Sequence, residues 1–140
     1  MNLEKKVVRV RDVMKADFDM VDGKMTVMNA LRTMKHVETK TLIVDKRNEN
    51  DEYGILLISD IAKSVIAKDR SPERINVYEI MSKPLLPIDP EMDIRYCARF
   101  LERFGLSRAP VLENGKVIGI VSFTDIVLHG LVDFDGTGNE

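Results

Sequence analysis

The chain has 140 residues, 44% of them hydrophobic, with 21 Lys and Arg against 23 Asp and Glu and a net charge of −2. Interspersed charge and the lack of Trp leave no polybasic or stacking platform, which argues against a nucleic-acid partner. No apolar run approaches the roughly 20 residues that span a bilayer, and the opening MNLEKKVVRVRDVM lacks a signal-peptide apolar block, so no membrane partner and a cytoplasmic location are expected.

Read from its start, the chain meets itself again. The stretch from Val10 to Met34 aligns with the one from Val77 to Leu101 at a shift of 67. Val10, Val13, Met14, Val21, Val27, Ala30 and Met34 then fall opposite Val77, Ile80, Met81, Ile88, Ile94, Cys97 and Leu101, apolar against apolar throughout. Within the first copy, Val27, Ala30, Leu31, Met34 and Val37 recur at helical spacing and predict a helix with one apolar stripe. Thr26 is placed to cap it. The runs TLIV (41–44) and YGILLI (53–58) read as two strands joined by DKRNENDE, a loop too charged to bury. A second helix follows in SDIAKSVIAKD, and Pro72 marks the join to the next copy.

The second copy repeats the series. Ile94, Cys97, Ala98, Leu101 and Phe104 predict the equivalent helix, capped by Asp93 and stopped by Gly105. Cys97 is the single cysteine, which excludes an intramolecular disulfide and a Cys-cluster zinc site, and its place in the stripe predicts a small buried side chain. SRAPVL (107–112) aligns with TKTLIV (39–44) after one extra residue, and GIVSFTDI (119–126) aligns with GILLISDI (54–61). Asn114-Gly115 lies between the two apolar runs, the pair suited to a tight type I′ hairpin turn. The last helix is expected in TDIVLHGLVDF. Two β-α-β-β-α repeats are therefore predicted, over residues 7–68 and 77–132, with a linker at 69–76 and a C-terminal tail at 133–140. Neither copy buries much surface alone, so an α/β (α+β) body with the two packed as one pseudo-two-fold module is the expected solution.

The repeat, the stretch VYEIMSKPLLPIDPEMDI and the run GLSRAPVLENGKVIGIVSFTDI together resemble a tandem pair of CBS (cystathionine β-synthase) domains, or Bateman module. The resemblance runs from about Val7 to Leu131 and is closer in the second copy. It implies a regulatory module that binds an adenosine-containing ligand, such as AMP, ADP, ATP, NAD or S-adenosylmethionine, in clefts between the repeats. It also implies assembly as a homodimer and, with no effector on this chain, transmission to a separate effector protein.

Carried onto this sequence, the Gly-x-x-Ser/Thr-x-x-Asp pattern falls on Gly119, Ser122 and Asp125. The resemblance gives Asp125 to the ribose hydroxyls and Ser122 to phosphate, with Thr124 as a further hydroxyl. An ionised carboxylate has lone pairs for two such donors, and a helix start favours phosphate. The bland reading of Asp125, and of Asp60, is an acid at a helix's first turn. Leu85, Leu86, Arg108, Ala109 and Pro110 would frame the base by the same resemblance, Arg108 alternatively facing solvent or a phosphate. In the first copy the corresponding set is Phe18, Lys40, Thr41, Ser59 and Asp60, but Leu57 stands where Ser122 does. The alternative function is a structural or protein-interaction module with degenerate pockets.

Neither catalysis nor metal binding finds residues to carry it. His36 and His129 sit at unrelated positions without ligand spacing, and there is no activated nucleophile, phosphate loop or paired carboxylate. The expectation is a non-enzyme with no catalytic residue, no metal and no catalytic cofactor.

Overall fold

The computed structural model describes residues 6–83 and 86–132. Helix α1 (Val10–Val13) is one turn; β1 (Asp19–Val21), α2 (Val27–Arg32), β2 (Thr41–Val44), β3 (Gly54–Leu57) and α3 (Ile58–Ile61) complete the first copy. A 3-10 turn at Val77–Glu79 opens the second, followed by α4 (Ile94–Arg103), β4 (Arg108–Glu113), β5 (Lys116–Ser122) and α5 (Phe123–Val127). Both α3 and α5 run on into wider π turns, Ala62–Ile66 and Leu128–Val132. The result is an α+β fold. Leu85 and the tail 133–140 lie outside the described residues.

The chain divides into two units, Asp17–Leu85 on one side and Met1–Ala16 with Leu86–Glu140 on the other. In the first, β1 pairs in parallel with β2, and β2 antiparallel with β3; apolar side chains of these strands pack on Val27, Ala30, Ile61 and Val65. Ile75 and Val77, which precede and open the second copy, are buried in this core. In the other unit β4 pairs antiparallel with β5, Ile88 bridges in parallel to Val111, and Val8, Val10 and Val13 join Ile94, Cys97 and Leu101 in the core. Each unit thus takes its last apolar contacts from the segment that opens the other copy.

The same segment extends each sheet by one residue. Lys15 exchanges main-chain hydrogen bonds of 2.8 and 2.9 Å with Ile120, and Ser82 does so with Ile55 at 2.9 Å in both directions. This close approach explains a glycine beside each bridge. A methyl group at Gly119 would sit 2.7 Å from both the Lys15 carbonyl oxygen and the Met14 sulfur, and one at Gly54 would sit 2.7 Å from the Met81 sulfur.

Local expectations hold where local chemistry decides. Thr26 Oγ1 accepts from Asn29 N at 3.1 Å, and Asp93 Oδ1 from Arg95 N at 2.8 Å. Gly105, Asn114 and Gly115 take φ of 66°, 53° and 79°, as the helix stop and hairpin turn require. The first helix is shorter than its stripe: α2 ends at Arg32, and Val37 is 65% exposed in a 3-10 turn. The buried Asp19 carboxylate is the reason, accepting from Lys35 N at 2.9 Å and His36 N at 2.8 Å and drawing those amides out of the helical ladder.

The charged loop between β2 and β3 is fastened to the neighbouring bridge. Asp51, its side chain 8% exposed, accepts from Lys83 Nζ at 2.7 Å and from Arg47 N and Nε at 2.8 and 3.1 Å. Lys83 first, then Arg47, holds this carboxyl well below the usual carboxylate range.

Two outcomes follow in denaturant titrations. Gly119→Ala should destabilise the fold by on the order of 1–3 kcal/mol. Gly54→Ala should cost less, because the clashing Met81 thioether can swing aside whereas the Lys15 carbonyl is fixed by its bridge. Asp51 has a folded pKa below its unfolded value, so its stabilisation is complete above about pH 4 and is lost as pH falls through the lowered folded value. The stability gap between wild type and Asp51→Asn should therefore narrow on acidification below about pH 4.

Candidate functional site

β5 ends at Ser122 and the chain turns into α5, so the backbone places Ser122 and Asp125 on one turn. Ser122 is the N-cap. Its Oγ accepts from Asp125 N at 3.2 Å and donates to Asp125 Oδ2 at 2.8 Å, and the same oxygen accepts from Ser122 N at 3.0 Å. The Asp125 carboxylate is 1% exposed yet carries a second partner: its Oδ1 accepts from Lys15 Nζ, an ammonium whose side chain is 28% exposed.

Arg108 closes the group. It lies opposite Ser122 in the β4–β5 ladder, and its Nε donates to Ser107 Oγ at 3.5 Å. Burial pulls the Arg108 guanidinium below its ordinary value, while the Asp125 charge acts the other way. One unit therefore gathers two cations, a buried carboxylate, the capping hydroxyl and the exposed Thr124. Ala109 and Pro110 are buried in β4, and Leu86 is 41% exposed. The Ser122 hydroxyl has a single proton to donate, and it is committed to Asp125.

The other unit has the same backbone and different chemistry. Thr41 stands opposite Leu57 as Arg108 stands opposite Ser122, and Ile58 N donates to the Lys40 carbonyl as Phe123 N does to that of Ser107. Thr41, not Lys40, is thus the counterpart of Arg108, one residue from the sequence alignment. Leu42, Ile43 and Val44 are buried on both faces of the sheet, so their apolar pattern does not choose between registers one residue apart, and main-chain hydrogen bonding sets this one. Thr41 is fully buried and its Oγ1 donates to the Thr39 carbonyl at 2.8 Å. Lys40 is exposed at φ 55°, Phe18 is half-buried and Ser59 is exposed. Asp60 accepts from Leu57 N at 3.0 Å, but Leu57 supplies no capping oxygen, and Ser82 occupies the bridge position that Lys15 holds in the other unit.

A cavity of about 570 Å³ in this unit lies at the opposite ends of β1 and β2, lined by Gly23, Val44, Asn76, Tyr78, Met81 and Lys83 among others, and holds none of the candidate ligand-binding residues. Among the described residues no group of three or more His, Cys, Asp or Glu is arranged to hold a metal ion. Cys97 is fully buried, which pushes its thiol up to about 11 and away from the reactive thiolate.

Sequence reasoning missed Lys15. Its partner is 110 residues away, and its own copy contributes Lys15 to the unit built on the other copy, so no local spacing could reveal the pair.

Residues 10–67 and 77–131 each match the family model described as CBS domain. An uncharacterised protein of Methanopyrus kandleri is 30% identical over 114 residues, 78% of this chain and 57% of that protein. The mitochondrial CBS domain-containing protein CBSX3 of Arabidopsis thaliana is 27% identical over 128 residues, 84% of this chain and 62% of that protein. The chain thus spans less than two thirds of either relative. Among solved structures, a hexameric CBS-CP12 protein from bloom-forming cyanobacteria is 34% identical, covering 91% of this chain and 74% of its own, with a TM-score of 0.83. A conserved CBS domain protein of unknown function from Thermoplasma acidophilum is 30% identical, covering 86% and 68%, with a TM-score of 0.74.

The capping geometry carries a stability consequence of its own. Ser122→Ala removes both side-chain hydrogen bonds of the cap and should cost about 1–2 kcal/mol in urea unfolding. Ser59→Ala, at an exposed hydroxyl, should stay within about 0.5 kcal/mol of wild type.

Proposed function

The chain belongs to the CBS-domain family as a tandem pair, and from that premise we propose that it is a regulatory module that binds an adenosine-containing ligand and passes its occupancy to a partner by conformational change. The observation that carries this reading is the buried Asp125 carboxylate, held by the Ser122 cap and flanked by Lys15 and Arg108. A carboxylate so placed can accept from a ribose diol, and cations beside it suit the phosphate of AMP, ADP, ATP or NAD. A CBS domain pair with the same fold, 21% identical with a TM-score of 0.70, was solved in complex with 5′-methylthioadenosine and S-adenosyl-L-methionine. That precedent supports an adenosine ligand as the class.

CBS-domain proteins are generally regulatory modules, and the proposed role contains no catalytic step and no catalytic cofactor. A ligand shifts a conformational equilibrium only by its differential affinity for the two states. Exposed Val127, Leu128 and Leu131 offer apolar surface for a second copy, and a homodimer that signals to an effector protein is the proposed assembly. Among the described residues no helix is long and apolar enough to cross a membrane. The repeats of this reading are residues 7–68 and 77–132, and its compartment is the cytoplasm.

The degenerate-pocket reading has its own support in the first copy. Leu57, the buried Thr41 and Ser82 replace the hydroxyl, the guanidinium and the ammonium of the other unit. One ligand per chain is the consequence.

Calorimetric titration with AMP, ADP, ATP, NAD and S-adenosylmethionine tests the reading. Saturable binding at one site per chain is expected, weakened at least about tenfold by Asp125→Asn through the loss of charge-assisted hydrogen bonds. No heat from any of the five, with an unchanged melting temperature, would leave the interaction module as the function.

A further inference from the structure

We propose that Lys15 is the specificity-determining residue of this site, and that it selects adenosine ligands bearing a phosphate over neutral or sulfonium ones. The inference rests on the adenosine-binding reading above and deepens it. Three observations support it: the Lys15–Asp125 ion pair, the place of Lys15 on a main-chain bridge, and the lack of a lysine at the equivalent position of the other unit.

The Asp125 carboxylate offers about four lone-pair positions. Ser122 N and Ser122 Oγ occupy two on Oδ2, and Lys15 Nζ occupies one on Oδ1. A ribose diol needs two. For both hydroxyls to reach this carboxylate, the ammonium has to leave it. The Lys15 main chain stays in place, fixed on both sides by its hydrogen bonds with Ile120, so only the side chain moves.

A phosphate supplies the destination. It accepts a charge-assisted hydrogen bond from Nζ, while the ribose hydroxyls replace Nζ at the carboxylate. Arg108, which feels the Asp125 charge, continues to balance it. Adenosine and 5′-methylthioadenosine offer the ammonium no anion, so they bind with one ribose hydrogen bond fewer or leave a partly buried ammonium without a counter-charge. S-adenosylmethionine places a sulfonium on the ribose 5′ carbon, where AMP carries its phosphate ester, and its carboxylate stands several bonds further out, so the position next to the two cations is filled by a third positive charge. In the other unit Ser82 holds the bridge, with no ammonium to exchange and no such selection.

AMP and adenosine differ only in the phosphate, and calorimetric titration of the full chain with each reads the selection directly. Wild type should bind AMP at least about tenfold more tightly than adenosine, the scale of one charge-assisted hydrogen bond. Lys15→Met should bring the two affinities to within about threefold, and Lys15→Arg should restore most of the preference, a rescue that a packing role alone would not produce. Lys15→Gln carries the same comparison if the methionine variant does not fold, judged by its melting curve. A wild-type ratio near one, or a loss of affinity in Lys15→Met equal for both ligands, would overturn the role of Lys15 and leave the adenosine site standing. Silence of wild type toward both ligands, and toward ATP, NAD and S-adenosylmethionine, would remove the adenosine reading and this inference with it.

Discussion

The approach of the Lys15 main chain to Gly119 and Ile120 is the constraint on which the Asp125 site depends. Two backbones exchange hydrogen bonds there at a position where any side chain on residue 119 would collide with a carbonyl oxygen. The bridge brings Val10 and Val13 into a core whose strands come from the other end of the sequence, and it brings an ammonium to a carboxylate 110 residues away. Ser82, Ile55 and Gly54 repeat the arrangement in the other unit. Space and not a positive φ favours glycine in both copies, strictly at Gly119 against the Lys15 carbonyl and less so at Gly54, where the Met81 thioether can move.

The two copies show how one backbone plan supports different chemistry. Cross-strand pairing, helix starts, π turns and bridges correspond closely. Side chains at the turn after the hairpin do not: Ser122, Arg108 and Lys15 answer to Leu57, Thr41 and Ser82. Each change removes a hydrogen-bonding group or a charge, while Asp60 keeps its main-chain hydrogen bond to Leu57 as Asp125 does to Ser122. A carboxylate at that turn is therefore explained by the helix start alone. What distinguishes the Asp125 site is the pair of cations around a carboxylate removed from solvent, where their interaction is screened little.

Much of this was legible in the sequence because it is local or periodic. The caps at Thr26 and Asp93, the stop at Gly105, the turn at Asn114-Gly115 and the burial of Cys97 follow from side-chain chemistry within a few residues. The repeat is visible because both copies bury the same faces. The length of α2 was not legible, since Asp19 ends the ladder from a strand that sequence places well before it. Nor was the strand register, because the apolar Leu42, Ile43 and Val44 are buried on both faces and do not mark which face points to the core.

The sequence by itself determined the order of elements, the repeat, the apolar faces and the presence of Ser122 and Asp125 at a helix start. These depend on propensity, periodicity and neighbours along the chain, which a single strand of text contains. Only the tertiary structure decided that the opening segment of each copy completes the unit of the other, that Thr41 answers to Arg108, and that Lys15 is the counter-ion of Asp125. Those relations are fixed by main-chain hydrogen bonds and close packing between residues far apart in the chain, and no periodicity records which distant backbone will fill the last edge of a sheet.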